Sequence, residues 1–370
     1  MPAGVRPEAG HPLPTRMLIM KISKHVKVVS LAAATCLLPV LTGTSHGQSR
    51  DLTVYGLLDV YMQHQSGSAV SASNKSSGWG LENGGLAGSR WGLRGTESLG
   101  NGWTAFFALE NGFDPRTGEL IETGRFFNRQ AFIGVGGPLG RLSLGHQYTS
   151  AFDTMVHVMP LSYAGAYEPF MNMLGPLRVS HSLRYQHQAG PAEFYAHWGA
   201  GQAGQTDSGK NAWGAGSRYK GLGWQWALAY DQRPRQALIE RWAMQRKWMT
   251  GLTYEQGAWR WSLGARWGRN EEALAGDQER NLMAWGGVNY ALNSSLTFSL
   301  AYYQERRRSE AFEGTGRQFV AQAVQKLSKR TEVYTALAHA RNSTLNFVNL
   351  GAVQDGKSQM GIAFGMRHRF

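Results

Sequence analysis

Residues 223 to 230 read GWQWALAY. Trp224, Trp226, Leu228 and Tyr230 share one parity, while Gln225, Ala227 and Ala229 share the other. Side chains alternate across a β-strand, so this stretch sets an apolar, aromatic-rich face against a face of small or polar groups. In a water-soluble sandwich the apolar face would meet a second sheet. In a transmembrane barrel it meets lipid, and the other parity meets water. Trp224 and Tyr230, near the two strand ends, are spaced like the aromatic girdles of a barrel at the two membrane surfaces, with aliphatic residues between them.

The pattern recurs. Trp259, Trp261, Leu263, Ala265 and Trp267 alternate with Arg260, Ser262, Gly264, Arg266 and Gly268. Leu296, Phe298, Leu300 and Tyr302 repeat it, as do Met360, Ile362, Phe364, Met366 and Phe370, whereas residues 51 to 63 carry apolar residues on both parities. The chain of 370 residues holds 47 glycines and 13 tryptophans with only 17% charged residues, a strand-and-turn composition. After residue 50 no apolar run approaches the roughly 20 residues of a spanning helix, which argues against a helical membrane protein.

Turns supply the architecture. Short connections rich in glycine, asparagine or proline fall at 98–103, 136–141, 188–193, 219–224, 255–260, 291–296 and 326–331. Longer polar segments lie near 64–86, 112–125, 148–177, 200–211, 232–241, 269–280, 304–317 and 342–357. Seven tight turns and eight long loops make fifteen connections and therefore sixteen strands, with both ends of the chain on the tight-turn side. An even strand number with short turns on one face and long loops on the other is the pattern of an outer-membrane barrel. The expected fold is an all-β, sixteen-stranded antiparallel transmembrane barrel, wide enough to leave an aqueous lumen.

Lys21, Lys24 and Lys27 precede VVSLAAATCLLPVL and then TGTSHGQS. This order of basic, apolar and small residues marks residues 1–47 as an N-terminal extension and cleavable secretory leader, with 48–370 as the barrel. Met17 or Met20 begins that leader more naturally than Met1. The one cysteine, Cys36, would leave with it, so disulfides and thiol chemistry are not expected in the mature chain. Residues 1–47 carry five basic groups and one acid, so the net charge of +13 falls by 4 to +9. The arginines alternate with tryptophans along strands and form no contiguous basic patch, which disfavours nucleic acid. GVGGPLG at 134–140 lacks the lysine and following helix of a phosphate cradle and reads as a hairpin turn. The eleven histidines show no metal-ligand spacing. No cofactor is expected, and no serine, histidine and acid stand out as a catalytic set, so the chain does not read as an enzyme.

Four stretches, LTVYGLLDV (52–60), GSRWGLRGTESLGNGWTAFFALENGFD (88–114), RFFNRQAFIGVGGPLGRLSLGHQY (125–148) and the terminal GMRHRF, resemble the general porins of Gram-negative outer membranes, the beta-proteobacterial branch above all. The resemblance implies a homotrimer exported to the outer membrane, seated among lipid and lipopolysaccharide, that passes small hydrophilic solutes and ions by diffusion. It implies that the terminal Phe370 is read by the barrel-assembly machinery. It also implies a third long loop, here TSAFDTMVHVMPLSYAGAYEPFMNMLGP, folded into the lumen against a ladder of wall arginines. Arg90 and Arg94 in SRWGLRG, Arg129 in NRQAF, and Arg184 with Arg178 are the matching basic positions. Glu110, Asp153 and Glu168 are the carboxylates expected on the facing side. The loop departs from the family in reading EPF and in its methionines at 155, 159, 171 and 173. More arginines than acids at this constriction predict anion preference. A substrate-specific channel and a structural or adhesive barrel are the alternative readings.

Overall fold

The computed structural model describes residues 50–71, 74–201, 211–236, 242–271, 278–310, 313–342, 345 and 358–370; the expected leader lies outside them. The strands are β1 (Arg50–Ser71), β2 (Asn74–Asn83), β3 (Arg90–Gly100), β4 (Trp103–Gly112), β5 (Gln130–Gly137), β6 (Gly140–Tyr148), β7 (Arg178–Ala189), β8 (Ala192–Gly199) and β9 (Ala212–Gly221). They continue as β10 (Trp224–Gln236), β11 (Trp242–Gln256), β12 (Trp259–Glu271), β13 (Gln278–Ala291), β14 (Leu296–Arg308), β15 (Glu313–Lys326), β16 (Thr331–Arg341) and β17 (Ser358–Arg369). Each pairs antiparallel with its neighbour, and β17 returns to β1 to close the ring.

Seventeen strands make sixteen staves. β2 and β3 both pair with β1, at Val60–Ser71 and Arg50–Leu57 respectively, and so form one stave interrupted at 84–89. Asp59, fully buried, holds that interruption in place. Its carboxylate accepts the backbone N–H of Gly85 at 3.1 Å and of Leu86 and Ala87 at 2.8 Å, and the Tyr334 hydroxyl at 2.5 Å. Backbone donors freed from the ladder are thereby satisfied by one side chain.

All seven tight turns stand where the sequence places them. The long-loop side differs: strands run to Ser71, Gln236, Glu271 and Arg308, well into segments expected as loops. Beyond the membrane both faces of a strand meet water, so apolar alternation lapses there while the hydrogen-bond ladder continues. Between the ends the parity is clean. Trp226 is 45% exposed and Ala227 beside it 0%. Even β1, ambiguous in sequence, turns Leu52, Val54, Leu58 and Met62 outward and Leu57, Asp59 and Tyr61 inward.

The outward rings form two bands. On the tight-turn side Trp224 meets Tyr254 at 4.3 Å and Trp259 meets Tyr290 at 4.4 Å. Nearer the long loops Tyr230 touches Trp213 at 4.8 Å and Trp248 at 4.7 Å. At the closing seam the backbone of Phe370 exchanges two 3.1 Å hydrogen bonds with Gly56, and its ring fills the space a Cβ at Gly56 would need.

Candidate functional site

The connection between β6 and β7 is the most structured of the long loops among the described residues. It holds α1 (Ser150–Met155), a 3₁₀ turn at Val156–Val158 and α2 (Phe170–Leu174). Thr149 caps α1, its hydroxyl accepting the Phe152 N–H at 3.2 Å. Met155, Val158, Met159 and Met173 are fully buried, so three of the four methionines that set this segment apart in sequence form its packing core, while Met171 is exposed. Flexible thioethers suit an irregular interior of this kind.

Its polar contacts reach far around the ring. Arg260 donates to the carbonyl of His157 at 2.7 Å, and Asn289 to that of Pro160 at 3.1 Å. Arg266 bonds the Asn172 carbonyl, and the Asn172 amide donates to Glu305 at 2.7 Å. Ala166 donates to Gly85 O in the interrupted stave at 2.9 Å. Glu168 is the hub. Only 1% exposed, it accepts the N–H groups of Leu161 (3.0 Å), Tyr163 (2.6 Å) and Ala164 (3.2 Å) and the Tyr303 hydroxyl (2.9 Å). Burial pushes its carboxyl up to about 7, against the pull of those four hydrogen bonds.

The expected arginines divide into groups. Glu110 on β4 pairs with Arg129 at 2.7 Å and with Arg90 at 3.5 Å, and it accepts the Tyr55 hydroxyl at 3.1 Å. Arg129 and Arg178 both donate to the Tyr148 hydroxyl, at 3.0 and 2.9 Å. Three guanidinium groups thus gather about one carboxylate and one phenol. Arg184 stands apart, paired with Asp153 of α1 at 2.5 Å, and Arg94 lies over the Tyr55 ring at 5.2 Å. An aromatic rail leads from this cluster into the loop. Tyr148 stacks on Phe152 at 4.3 Å, Phe152 meets Tyr163 at 5.5 Å, and Tyr163 meets Phe170 at 4.4 Å.

The carboxylates are not arranged as a facing row. Glu110 sits on the stave next to Arg90, among the arginines, because its inward parity on β4 is in register with Gly92 of β3. Glu168 is enclosed within the loop. Asp153, of the three, pairs with an arginine across from the loop. Sequence reasoning also passed over the basic groups of the far wall. Arg233, Lys247, Arg266 and Arg307 line a cavity of about 490 Å³ together with Asn172 and Gly175 of the loop. There Asp231 binds Arg233 at 2.8 Å, and Glu305 binds Arg266 at 2.6 Å and Arg307 at 3.3 Å. Arg266 was already marked by its alternation with Trp267; its ion-pair partner Glu305 lies 39 residues along the chain and needed the barrel to bring it near.

One serine, histidine and aspartate do converge. The Nδ1 of His197 accepts both the Ser150 N–H (3.1 Å) and hydrogen-bonds its Oγ (2.8 Å), while Nε2 faces Asp231 at 3.8 Å. Ser150 is fully buried, so the contact anchors the start of α1 to β8 and offers no accessible nucleophile.

The sequence pattern of the Gram-negative porin family matches residues 31–345. The chain belongs to that family. An outer membrane porin of Bordetella pertussis is 36% identical over 183 residues, 44% of each chain. Outer membrane porin protein 32 of Delftia acidovorans is 27% identical over 359 residues, covering 89% of this chain and 96% of its own. The anion-selective porin from Comamonas acidovorans has the same fold, with a TM-score of 0.76 at 23% identity, over 87% of this chain and all of that one. The porin is therefore an outer-membrane channel: among the described residues its strands pair around a closed ring without an open edge, its outward parity is lipid-compatible, and its inward parity carries the buried charges.

Proposed function

We propose that the porin is a general diffusion channel of the outer membrane, a homotrimer with anion preference, whose segment 149–177 lies in the lumen and narrows it. The observation that carries the anion preference is Glu110: bound by Arg90 and Arg129, with Arg178 close by through Tyr148, it leaves its cluster with an excess of positive charge. The far wall adds Arg233, Lys247, Arg266 and Arg307. A partly dehydrated anion passing between two such walls gains attraction where a cation meets repulsion. Arg94, Arg184 and Asp153 are the remaining constriction residues in this reading.

The lumenal position of the loop is supported by its partners. Residues of β7 through β15 that bond or pack against it, Gly251, Arg260, Arg266, Asn289, Tyr303 and Glu305 among them, all belong to the parity opposite the exposed tryptophans. The leader at 1–47 would carry the chain across the inner membrane, and Phe370 would mark it for barrel assembly. Anion selectivity of the Comamonas porin, stated for that protein, agrees with the charge reading.

The test is recording from purified protein in planar bilayers under a potassium chloride gradient. Conductance in threefold steps with a reversal potential on the anion side is expected. A cation-side potential would sink the charge argument. Saturable block by one solute would point to a substrate-specific channel, and silence from folded protein to a structural barrel.

A further inference from the structure

We propose that the cavity between α2 and the wall of β10 to β14 is a binding site for an acidic amino acid, a solute with two carboxylates and one ammonium group. The proposal rests on the lumenal seating of segment 149–177, and it concerns staves other than those that carry Arg90, Arg129 and Arg178. Strand register builds the site. Lys247 on β11 stands opposite Gly268 on β12, Gly268 opposite Asn281 on β13, and Asn281 opposite Arg307 on β14. Glu279 lies two residues from Asn281, toward the long loops and on the same face of β13. Lys247 and Glu279 are thus two strand spacings, roughly 10 Å, apart across the wall. The residue between them is a glycine, and the Asn281 amide leans into the space a Cβ at Gly268 would take. On the loop side Gly175, at φ +79°, ends α2, and a Cβ on it would collide with the Lys247 ammonium. Only a residue without a side chain lets that ammonium stand so close beneath the loop.

Most of the charges here satisfy one another. Asp231 binds Arg233, and Glu305 binds Arg266 and Arg307. Two groups of opposite sign are left over. Lys247, only 3% exposed, has no hydrogen-bond or ion-pair partner among the described residues. Glu279 accepts the amides of Asn270 at 2.9 Å and Asn281 at 3.1 Å on one carboxylate oxygen, while the other oxygen has no partner among the described residues. The Nε of Arg266 is also buried without an acceptor. An enclosed ammonium or N–H with nothing to receive its protons is costly, so the cavity calls for an anionic group beside Lys247 and a donor beside Glu279.

Net charge narrows the solute further. Four cations, Arg233, Lys247, Arg266 and Arg307, against the three carboxylates of Asp231, Glu279 and Glu305 leave one positive charge, 4 − 3. A solute of both signs with a net charge of −1 cancels it. An acidic amino acid meets all three demands: one carboxylate on Lys247, its ammonium on Glu279, and its second carboxylate on Arg307, whose side chain is 26% exposed to the cavity. The space of about 490 Å³ lies within the range of small-molecule sites. A dicarboxylate without the ammonium leaves Glu279 facing a second anion. A neutral amino acid leaves the surplus charge uncompensated, and a simple inorganic anion fills only the Lys247 end.

The experiment titrates the folded, detergent-solubilised full chain with L-glutamate, glutarate and L-glutamine by isothermal calorimetry at constant ionic strength. L-glutamate is expected to bind saturably, and glutarate, which lacks the ammonium, and L-glutamine, which lacks the second carboxylate, to bind at least about tenfold more weakly. Glu279→Gln is expected to weaken L-glutamate by at least about tenfold without weakening glutarate, so that the preference between the two disappears. Lys247→Met is expected to weaken both by at least about tenfold. Should Lys247→Met fail to fold, Arg307→Gln serves in its place and is expected to bring L-glutamate down toward L-glutamine. The potassium chloride reversal potential of the same preparation reports the channel reading separately, so a porin that keeps its anion-side potential and fails in calorimetry refutes this site alone. The proposal is overturned by the absence of saturable L-glutamate binding, by equal affinity for glutarate or L-glutamine, by wild-type affinity in Lys247→Met, or by an unchanged preference for L-glutamate over glutarate in Glu279→Gln.

Discussion

The contribution of Glu168 to the seating of the 149–177 segment should weaken as the pH rises. Its carboxyl has an ordinary value of 4.5, and burial pushes it up to about 7 in the folded loop. Below 4.5 the group is protonated whether the loop is seated or open, and seating carries no charge penalty. Above 4.5 the open loop releases its proton first, so the seated form binds more protons and is progressively disfavoured. The loss is complete above about 7. The interval of 2.5, from 7 − 4.5, amounts to about 3 kcal/mol, a factor on the order of 300 in the opening equilibrium. The amides of Leu161, Tyr163 and Ala164 donate to Glu168 and report the opening directly. His157 of the same loop, its imidazole pushed down to about 4 by burial, acts in the opposite sense between about 4 and 6.5 and is common to wild type and variant. Glu168→Gln keeps an acceptor oxygen but cannot ionise, so the hydrogen-exchange protection of the wild type relative to Glu168→Gln, corrected for the intrinsic pH dependence of amide chemistry, should fall across the range from 4.5 to about 7. A difference between the two proteins that stays constant or rises with pH refutes the reasoning.

Glu110→Gln removes the one carboxylate among Arg90, Arg129 and Arg178; with a unit charge worth about 1 kcal/mol at 4 Å in water, the anion-to-cation permeability ratio should rise about two- to fivefold in bilayer reversal potentials. Arg90→Ala with Arg178→Ala should carry that ratio toward unity in the same recording. Leu263→Arg places a charge on the lipid face and should destabilise the barrel by about 2–4 kcal/mol in denaturant titrations from vesicles, whereas Leu263→Phe should stay near neutral. Tyr303→Phe deletes one donor to Glu168 and should cost about 1 kcal/mol of loop protection in hydrogen exchange, without loss of the folded, heat-modifiable band on gels.

The patterned part of the fold was readable strand by strand. The tight turns, the parity of Trp224 to Tyr230 and of Trp259 to Trp267, and the terminal Phe370 all follow from rules that act within a dozen residues. Strand ends on the long-loop side were not readable, because a strand wet on both faces has no alternation to detect. Of the site, Arg90 and Arg129 were found by motif and Arg178 by its shared parity with Arg184, and these three do gather. Arg184 does not join them; it meets Asp153 instead. Glu110 and Glu168 were expected on the facing side. Glu110 instead stands among the arginines, and Glu168 is enclosed by its own loop, since neither register nor loop packing is encoded in spacing.

Alternation and turn chemistry are local, and they were enough to establish a sixteen-stave barrel with lipid outside and polar groups within. Which charges neutralise one another is not local. The wall of Arg233, Lys247, Arg266 and Arg307, the partition of Glu110 to the arginine cluster and the burial of Glu168 against Tyr303 each join residues from different strands or loops. Their distances arise only when the ladder closes, because a shift of one residue in a pairing would turn every side chain of the shifted strand to the opposite face.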